Sequence, residues 1–278
     1  MADGSRVGFF YDEPADQYHV RILGEANNGG LKIIRDRSPA HYKAWVEGYE
    51  PKPTEAMKLG RIIHTAILEP DKLESEYLVL PDFGPLQSSK NRADRDAWLA
   101  CQSPTAIVVK AHQIEQARTM REAVLRHKTA RLLIERGKPE VTMRWRCPRT
   151  GIMCKARMDW YYEEMNFAMD LKSTDDASPS AFARSVANFE YHVQHCHYSS
   201  GTKALGSPIE NYLICAAEKE TPHAVGVYHI DAAAEERGFQ ILDRAMDTLA
   251  KCVETGLYPA YGEDIETLSL PGWAFWDK

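Results

Sequence analysis

Between Glu140 and Lys172 the chain alternates apolar and polar residues with a period of two over three successive runs, and few architectures accept that pattern. Val141, Met143, Trp145 and Cys147 share one face of the first run. Arg149-Thr150-Gly151 reads as a turn. The second run, Ile152–Tyr162, sets Ile152, Cys154, Ala156, Met158 and Trp160 on one face and Lys155, Arg157 and Asp159 on the other. A third run, Phe167–Leu171, ends at Lys172. Strands with one apolar face must bury it, so this segment predicts a hairpin and a third strand in a covered sheet.

The flanking sequence supplies the cover. Ser38-Pro39 opens a short helix through Trp45, with Ser as cap and Pro at the first helical position. Thr54 starts a second helix running to about Glu69, and helical periodicity returns over 110–135 until Gly137. Ser178-Pro179 caps a long helix reaching about Leu205, strands follow near Asn211–Ala217 and Ala224–Ile230, and a last helix spans about Ala232–Thr255. Residues 1–30 read as loop-rich, ending in the turn signal Asn27-Asn28-Gly29-Gly30, and 78–95 as a polar connection. The order predicts an α/β fold with a mixed central sheet flanked by helices, in a single domain over residues 1–278.

Composition narrows the class. At 278 residues and 44% hydrophobic, the chain can bury a substantial core and is not expected to be disordered. Apolar runs such as Tyr212–Ala217 fall far short of the ~20 residues a spanning helix needs, so no membrane association is expected. Met1–Gly8 has no basic-then-apolar leader, and six scattered cysteines suit free thiols, which predicts a cytoplasmic protein. The net charge of −6 hides a split. Residues 110–157 carry 13 basic against 4 acidic side chains, while 158–230 carry 4 against 10. A cationic block on an acidic protein fits either a local polyanion-binding surface or an Arg-rich solvated face.

The chemistry concentrates at Asp159 and, after ten intervening residues, Asp170-Leu171-Lys172. A hairpin brings the two carboxylates toward one sheet edge, and Asp170 and Lys172 share a strand face. Two carboxylates and a lysine suit an oxygen-liganded divalent cation and an oriented water. An Asp-x-Lys triplet alone is commonplace on solvated strands. His64 lies four residues after Gly60 on a predicted helix, and Gln194 and Tyr198, also four apart, share a face of the helix after the Asp170 strand. His192, His195, Cys196 and His197 lack the second, distant ligand pair of a zinc site.

Taken together these residues resemble the PD-(D/E)XK nucleases of the RecB and phage exonuclease type. The chain is most similar to the RecE (exonuclease VIII) C-terminal nuclease family of phages and prophages. Ser38-Pro-Ala-His-Tyr-Lys43, Ala56-Met-Lys-Leu-Gly-Arg-Ile-Ile-His64, Leu68-Glu-Pro70, Gly151-Ile-Met-Cys-Lys-Ala-Arg-Met-Asp159, Met169-Asp-Leu-Lys-Ser-Thr174 and Tyr258-Pro-Ala-Tyr261 follow that family's order. One departure is Met158, where the family often has Pro. The resemblance implies a PD-(D/E)XK nuclease core in which Asp159 and Asp170 bind metal, His64 adds a ligand and Glu140 is a further acidic member. Lys172 would orient or activate the attacking water, and Gln194 and Tyr198 would support the site and contact DNA. Arg144, Arg146, Lys155 and Arg157 are expected to hold the DNA backbone.

The implied activity is Mg2+-dependent 5′→3′ digestion of linear double-stranded DNA, with Mn2+ as a substitute, leaving 3′ overhangs for recombination by annealing. The implied partners are a phage-type single-strand annealing protein and further copies of the chain in a ring, with a tetramer as the specific expectation. A structure-specific or single-strand nuclease with the same site, and an inactive DNA-binding relative, are the alternatives.

Overall fold

The computed structural model describes residues 6–49, 52–103, 106–262 and 265–275. The hairpin predicted at its centre is present as β4 (Lys138–Arg146) and β5 (Met153–Tyr162), followed by β6 (Phe167–Thr174). Strand β1 (Gly8–Phe10) lies outside β4, while β7 (Asn211–Glu218) and β8 (Val225–His229) extend the other edge. The order is β1-β4-β5-β6-β7-β8, with only β6 and β7 parallel, so the central sheet is mixed as expected. The separate parallel pair β2 (Tyr77–Val79) and β3 (Ile107–Val109) was not anticipated from the sequence.

Helices cover both faces. Before the sheet come α1 (Ala15–Tyr18), α2 (Asn28–Asp36), α3 (Pro39–Val46), α4 (Glu55–Leu68), α5 (Leu73–Glu76), α6 (Ser89–Ala100), α7 (Ala111–Arg126) and α8 (Lys128–Arg136). After β6 come α9 (Pro179–Phe189), α10 (Tyr191–Ala204) and α11 (Ala232–Thr255). Val141, Met143, Trp145, Ala156 and Met158 bury one sheet face beneath α2, α10 and α11. Met169, Leu171 and Cys215 bury the other beneath α4, α7 and α8. Each large side chain removed from water contributes about 1.5–3 kcal/mol, so this double cover supplies most of what holds the sheet. None of the helices among the described residues is long and apolar enough to cross a membrane.

Local chemistry sets the helix boundaries. Ser38 and Thr54 accept from the backbone N–H groups of His41 and Met57, capping α3 and α4, each cap worth about 1 kcal/mol. Three expectations are corrected. Asn27 caps α2 by accepting from Gly30, so the predicted turn is a helix start. The span 110–135 is two helices, since His127 leaves helical geometry and caps α8. The long helix after Ser178 breaks at Glu190, whose φ of 60° is left-handed and whose carboxylate pairs with Lys32 and Arg35.

The feature that makes a site is a fork in the sheet. β5 and β6 pair from Tyr162↔Phe167 to Trp160↔Met169 and then separate. Asp159 takes over as the ladder partner, its Oδ2 accepting from the Leu171 N–H at 2.8 Å. Across β5, the ladder to β4 is interrupted at Glu140, which takes a φ of 52°. The alternation shifts at this point: Trp160 joins the α4 side instead of lying with Met158, correcting the single face predicted for both. The freed edge of β5 is bridged by Ala26, which exchanges backbone hydrogen bonds with Met153 and Lys155.

Candidate active site

Four elements converge on the fork. β4 brings Glu140, β5 brings Asp159, β6 brings Asp170 and Lys172, and α4 brings His64. His64 Nδ1 lies 3.6 Å from Asp159 Oδ2. One ligand atom each of His64, Glu140 and Asp159 falls within 4.8 Å of the others, and all three side chains are partly open to solvent. Two carboxylates and an imidazole around one point form a donor set suited to a hard or borderline divalent cation.

Asp170 sits deeper and is differently occupied. It is 1% exposed; Gln194 Nε2 donates to its Oδ1 at 2.6 Å, and Lys172 Nζ lies 2.5 Å from its Oδ2. Gln194 also donates to the Tyr198 hydroxyl, which in turn donates to the Arg157 carbonyl at 2.9 Å. The predicted i, i+4 pair on α10 is thus a buried brace tying β6 to β5. Both side chains are spent inside the protein, which differs from the expected contact with DNA. The Tyr191 ring covers the Lys172 ammonium at 4.8 Å.

Burial, then the Asp159 carboxylate, push the Glu140 carboxyl up to about 8, against the pull of Arg157. Burial pushes Asp170 up to about 6, opposed chiefly by Lys172. For Lys172 burial works against the charge, but the Asp170 and Asp159 carboxylates outweigh it and raise its pKa. Lys172 is therefore a fixed cation and a hydrogen-bond donor, not a free amine.

The expected open cationic strip is closed. Arg144 Nη1 lies 2.7 Å from the Glu13 carboxylate, and Lys155 Nζ lies 2.7 Å from Glu25 and donates to the Val20 carbonyl. Arg157 donates Nε to Thr142 and Nη2 to the Glu13 carbonyl, with the Tyr18 ring 4.3 Å away. All three cations are buried. The alternation placed them correctly on the polar face, but residues before Asn27 cover that face and bring two carboxylates to it. Arg146 alone of the four stays exposed, donating to the Gly151 carbonyl. Sequence reasoning passed over Glu13 and Tyr18; that stretch has no periodicity, and an isolated acid and an aromatic carry no signal.

Residues 30–271 match the family model described as a PDDEXK-like domain of unknown function. No curated protein matches the chain. Among solved structures, the "Putative exonuclease" from Eubacterium rectale superposes with a TM-score of 0.61 at 13% identity, covering 94% of this chain and 96% of its own. That likeness establishes a shared fold. The protein SSO0001, at a TM-score of 0.28 and 12% identity over 68% of this chain and 84% of its own, is too distant to inform the argument. With the forked sheet, the Asp159/Asp170-x-Lys172 arrangement and a family match over most of its length, the chain belongs to the PDDEXK-like domain family and has the PD-(D/E)XK nuclease fold.

Proposed function

We propose that the protein is a divalent-metal-dependent nuclease that digests linear double-stranded DNA 5′→3′ and leaves 3′ single strands for annealing. The observation that carries the reading is the cluster of His64, Glu140 and Asp159 beside the buried Asp170–Lys172 pair. The first three residues would hold the ion; Asp170, expected from the sequence as a further ligand, is left out of this set because its two oxygens face Gln194 and Lys172. Oxygen-rich ligation favours Mg2+ with Mn2+ as a substitute. A bound cation neutralises phosphate charge and lowers the pKa of water. Lys172, ion-paired with Asp170, donates to the phosphate or orients the water. Gln194 and Tyr198 fix Asp170 and the β5 backbone, which holds the fork at the spacing the site needs.

The duplex specificity and the polarity rest on the resemblance to the RecE (exonuclease VIII) nuclease family, and the exonuclease name of the Eubacterium rectale protein supports an end-directed action. The same resemblance supports a ring of identical chains, a phage-type annealing protein as partner, a phage or prophage origin and a cytoplasmic setting. The test is digestion of linear duplex labelled at the 5′ or the 3′ end, beside circular duplex, with Mg2+ or with chelator. Early release of the 5′ label, intact circles and no activity in chelator are expected. Cutting of circles overturns the exonuclease reading. Binding without cleavage under every condition overturns the enzymatic one.

A further inference from the structure

The N-terminal segment lies outside the residues matched to the family, yet it reaches the metal cluster by way of Arg157. Arg157 stands between the two. Its Nε donates to Thr142 Oγ1 at 2.9 Å and its Nη2 to the Glu13 carbonyl at 2.8 Å. The Tyr18 ring lies against its guanidinium at 4.3 Å. The Glu13 carboxylate, fixed by Arg144 at 2.7 Å, faces it at 3.8 Å. Its remaining nitrogen, Nη1, stops 3.7 Å from Glu140 Oε2, outside hydrogen-bond distance.

That gap is unusual for its surroundings. A desolvated guanidinium and carboxylate close to about 2.7–2.9 Å, often through two parallel hydrogen bonds, when nothing restrains them. Here Arg157 is buried, and its Nε and Nη2 are already held by Thr142 and the Glu13 carbonyl. A fully closed pair would place Arg157 on the carboxylate oxygens that a cation needs. We propose that Glu13 and Tyr18 are positioning residues of the metal centre, holding the Arg157 guanidinium back from Glu140 so that this carboxylate stays open to a divalent cation. The inference rests on the reading that His64, Glu140 and Asp159 hold a metal. It gives Arg157 an internal task in place of the DNA contact expected of it.

The test is Mn2+ binding to the full chain, followed by the spin-resonance signal of free Mn2+, with DNA absent. Tyr18→Leu removes the ring and should weaken Mn2+ binding about thirtyfold, the scale of a desolvated cation–π contact. Tyr18→Phe keeps the ring and should bind as the parent does. Glu13→Gln keeps the carbonyl contact but removes the competing charge, and should weaken binding in the same direction. It serves as the second variant should Tyr18→Leu melt early. In an Arg157→Gln background Tyr18→Leu should have no further effect, because the competitor is gone.

Unchanged Mn2+ binding in both Tyr18→Leu and Glu13→Gln overturns the proposal. So does an equal loss with Arg157→Gln already present, which would mark a packing role. These failures differ from failure of the metal reading itself. If the parent binds no Mn2+, or Asp159→Asn binds it undiminished, the metal centre falls and the clamp with it. Parent binding that Asp159→Asn abolishes, and that Tyr18→Leu and Glu13→Gln both leave intact, removes the proposed positioning role alone.

Discussion

The fork holds two kinds of acid. Asp170 is enclosed, with Gln194 on one oxygen and Lys172 on the other. Glu140 and Asp159 stand at the open edge beside His64, where Asp159 has one backbone N–H and Glu140 only a restrained arginine at a distance. Acids of one chemical type thus differ in what is left for a ligand. The enclosed carboxylate takes a hydrogen bond from Gln194 on one oxygen and the Lys172 ammonium as counter-charge on the other, whereas the open pair faces solvent and is the better place for a cation.

The largest effects should separate these roles. Asp159→Asn should abolish both cleavage and the rise in melting temperature that Mn2+ gives the parent. At a ligand concentration of about 100 times its Kd that rise corresponds to about 2.7 kcal/mol. Asp170→Asn and Lys172→Met should lower cleavage about a hundredfold to a thousandfold, as loss of a preorganised electrostatic group does, while keeping most of the Mn2+ stabilisation. The reverse pattern, with Asp170→Asn losing the metal and Asp159→Asn keeping it, would collapse the distinction between enclosed and open acids.

How much of this was readable follows the same division. Strand alternation exposed the hairpin and the face of Asp159, Arg157 and Lys155, because a period of two is a local rule. Helix caps at Ser38 and Thr54 were legible for the same reason. The convergence of His64, Glu140, Asp159 and Asp170 was legible only through motif order, since α4 and β6 are brought together by tertiary packing. Closure of the basic face was not legible at all. Arg144 and Lys155 look identical in sequence whether water or Glu13 and Glu25 lie opposite, and the covering segment is irregular. The face shift at Trp160 likewise falls beside the left-handed backbone of Glu140, which no composition rule assigns to a glutamate.

The enclosed side should also carry its own pH signature. On α10, His197 is 1% exposed, lies 3.1 Å from the Lys155 carbonyl through Nε2 and packs against Trp145. Burial, with the Arg35 charge adding to it, lowers its pKa to about 4 despite that carbonyl. Between the ordinary histidine value and about 4 the unfolded chain takes up a proton that the folded chain refuses. Stability is therefore lost as pH falls through that window, by up to about 3 kcal/mol from this group. Glu140, with its raised pKa, contributes the opposite slope between its ordinary value and about 8, so the parent and His197→Gln should be compared directly. Urea midpoints in the variant should fall less steeply between pH 6.5 and pH 4. An identical slope would mean that His197 is protonated where it sits, and that the α10 side is less closed than its contacts indicate.

The smallest effect tests the covered face against its one open member. Arg146 lies six residues along β4 from Glu140, about 20 Å at the rise of a strand, and its guanidinium is in water. Each phosphate contact adds about 0.9 to the slope of log K for duplex binding against log salt. Arg146→Ala should lower that slope by about this amount and weaken binding evenly across sequences. Arg157→Gln should leave it unchanged, because a buried cation already paired inside the protein releases no counterion when DNA arrives. If Arg157→Gln lowers the slope and Arg146→Ala does not, phosphates reach beneath the N-terminal segment. Glu13 and Glu25 would then be carboxylates that DNA displaces, and the covered face a binding surface in waiting.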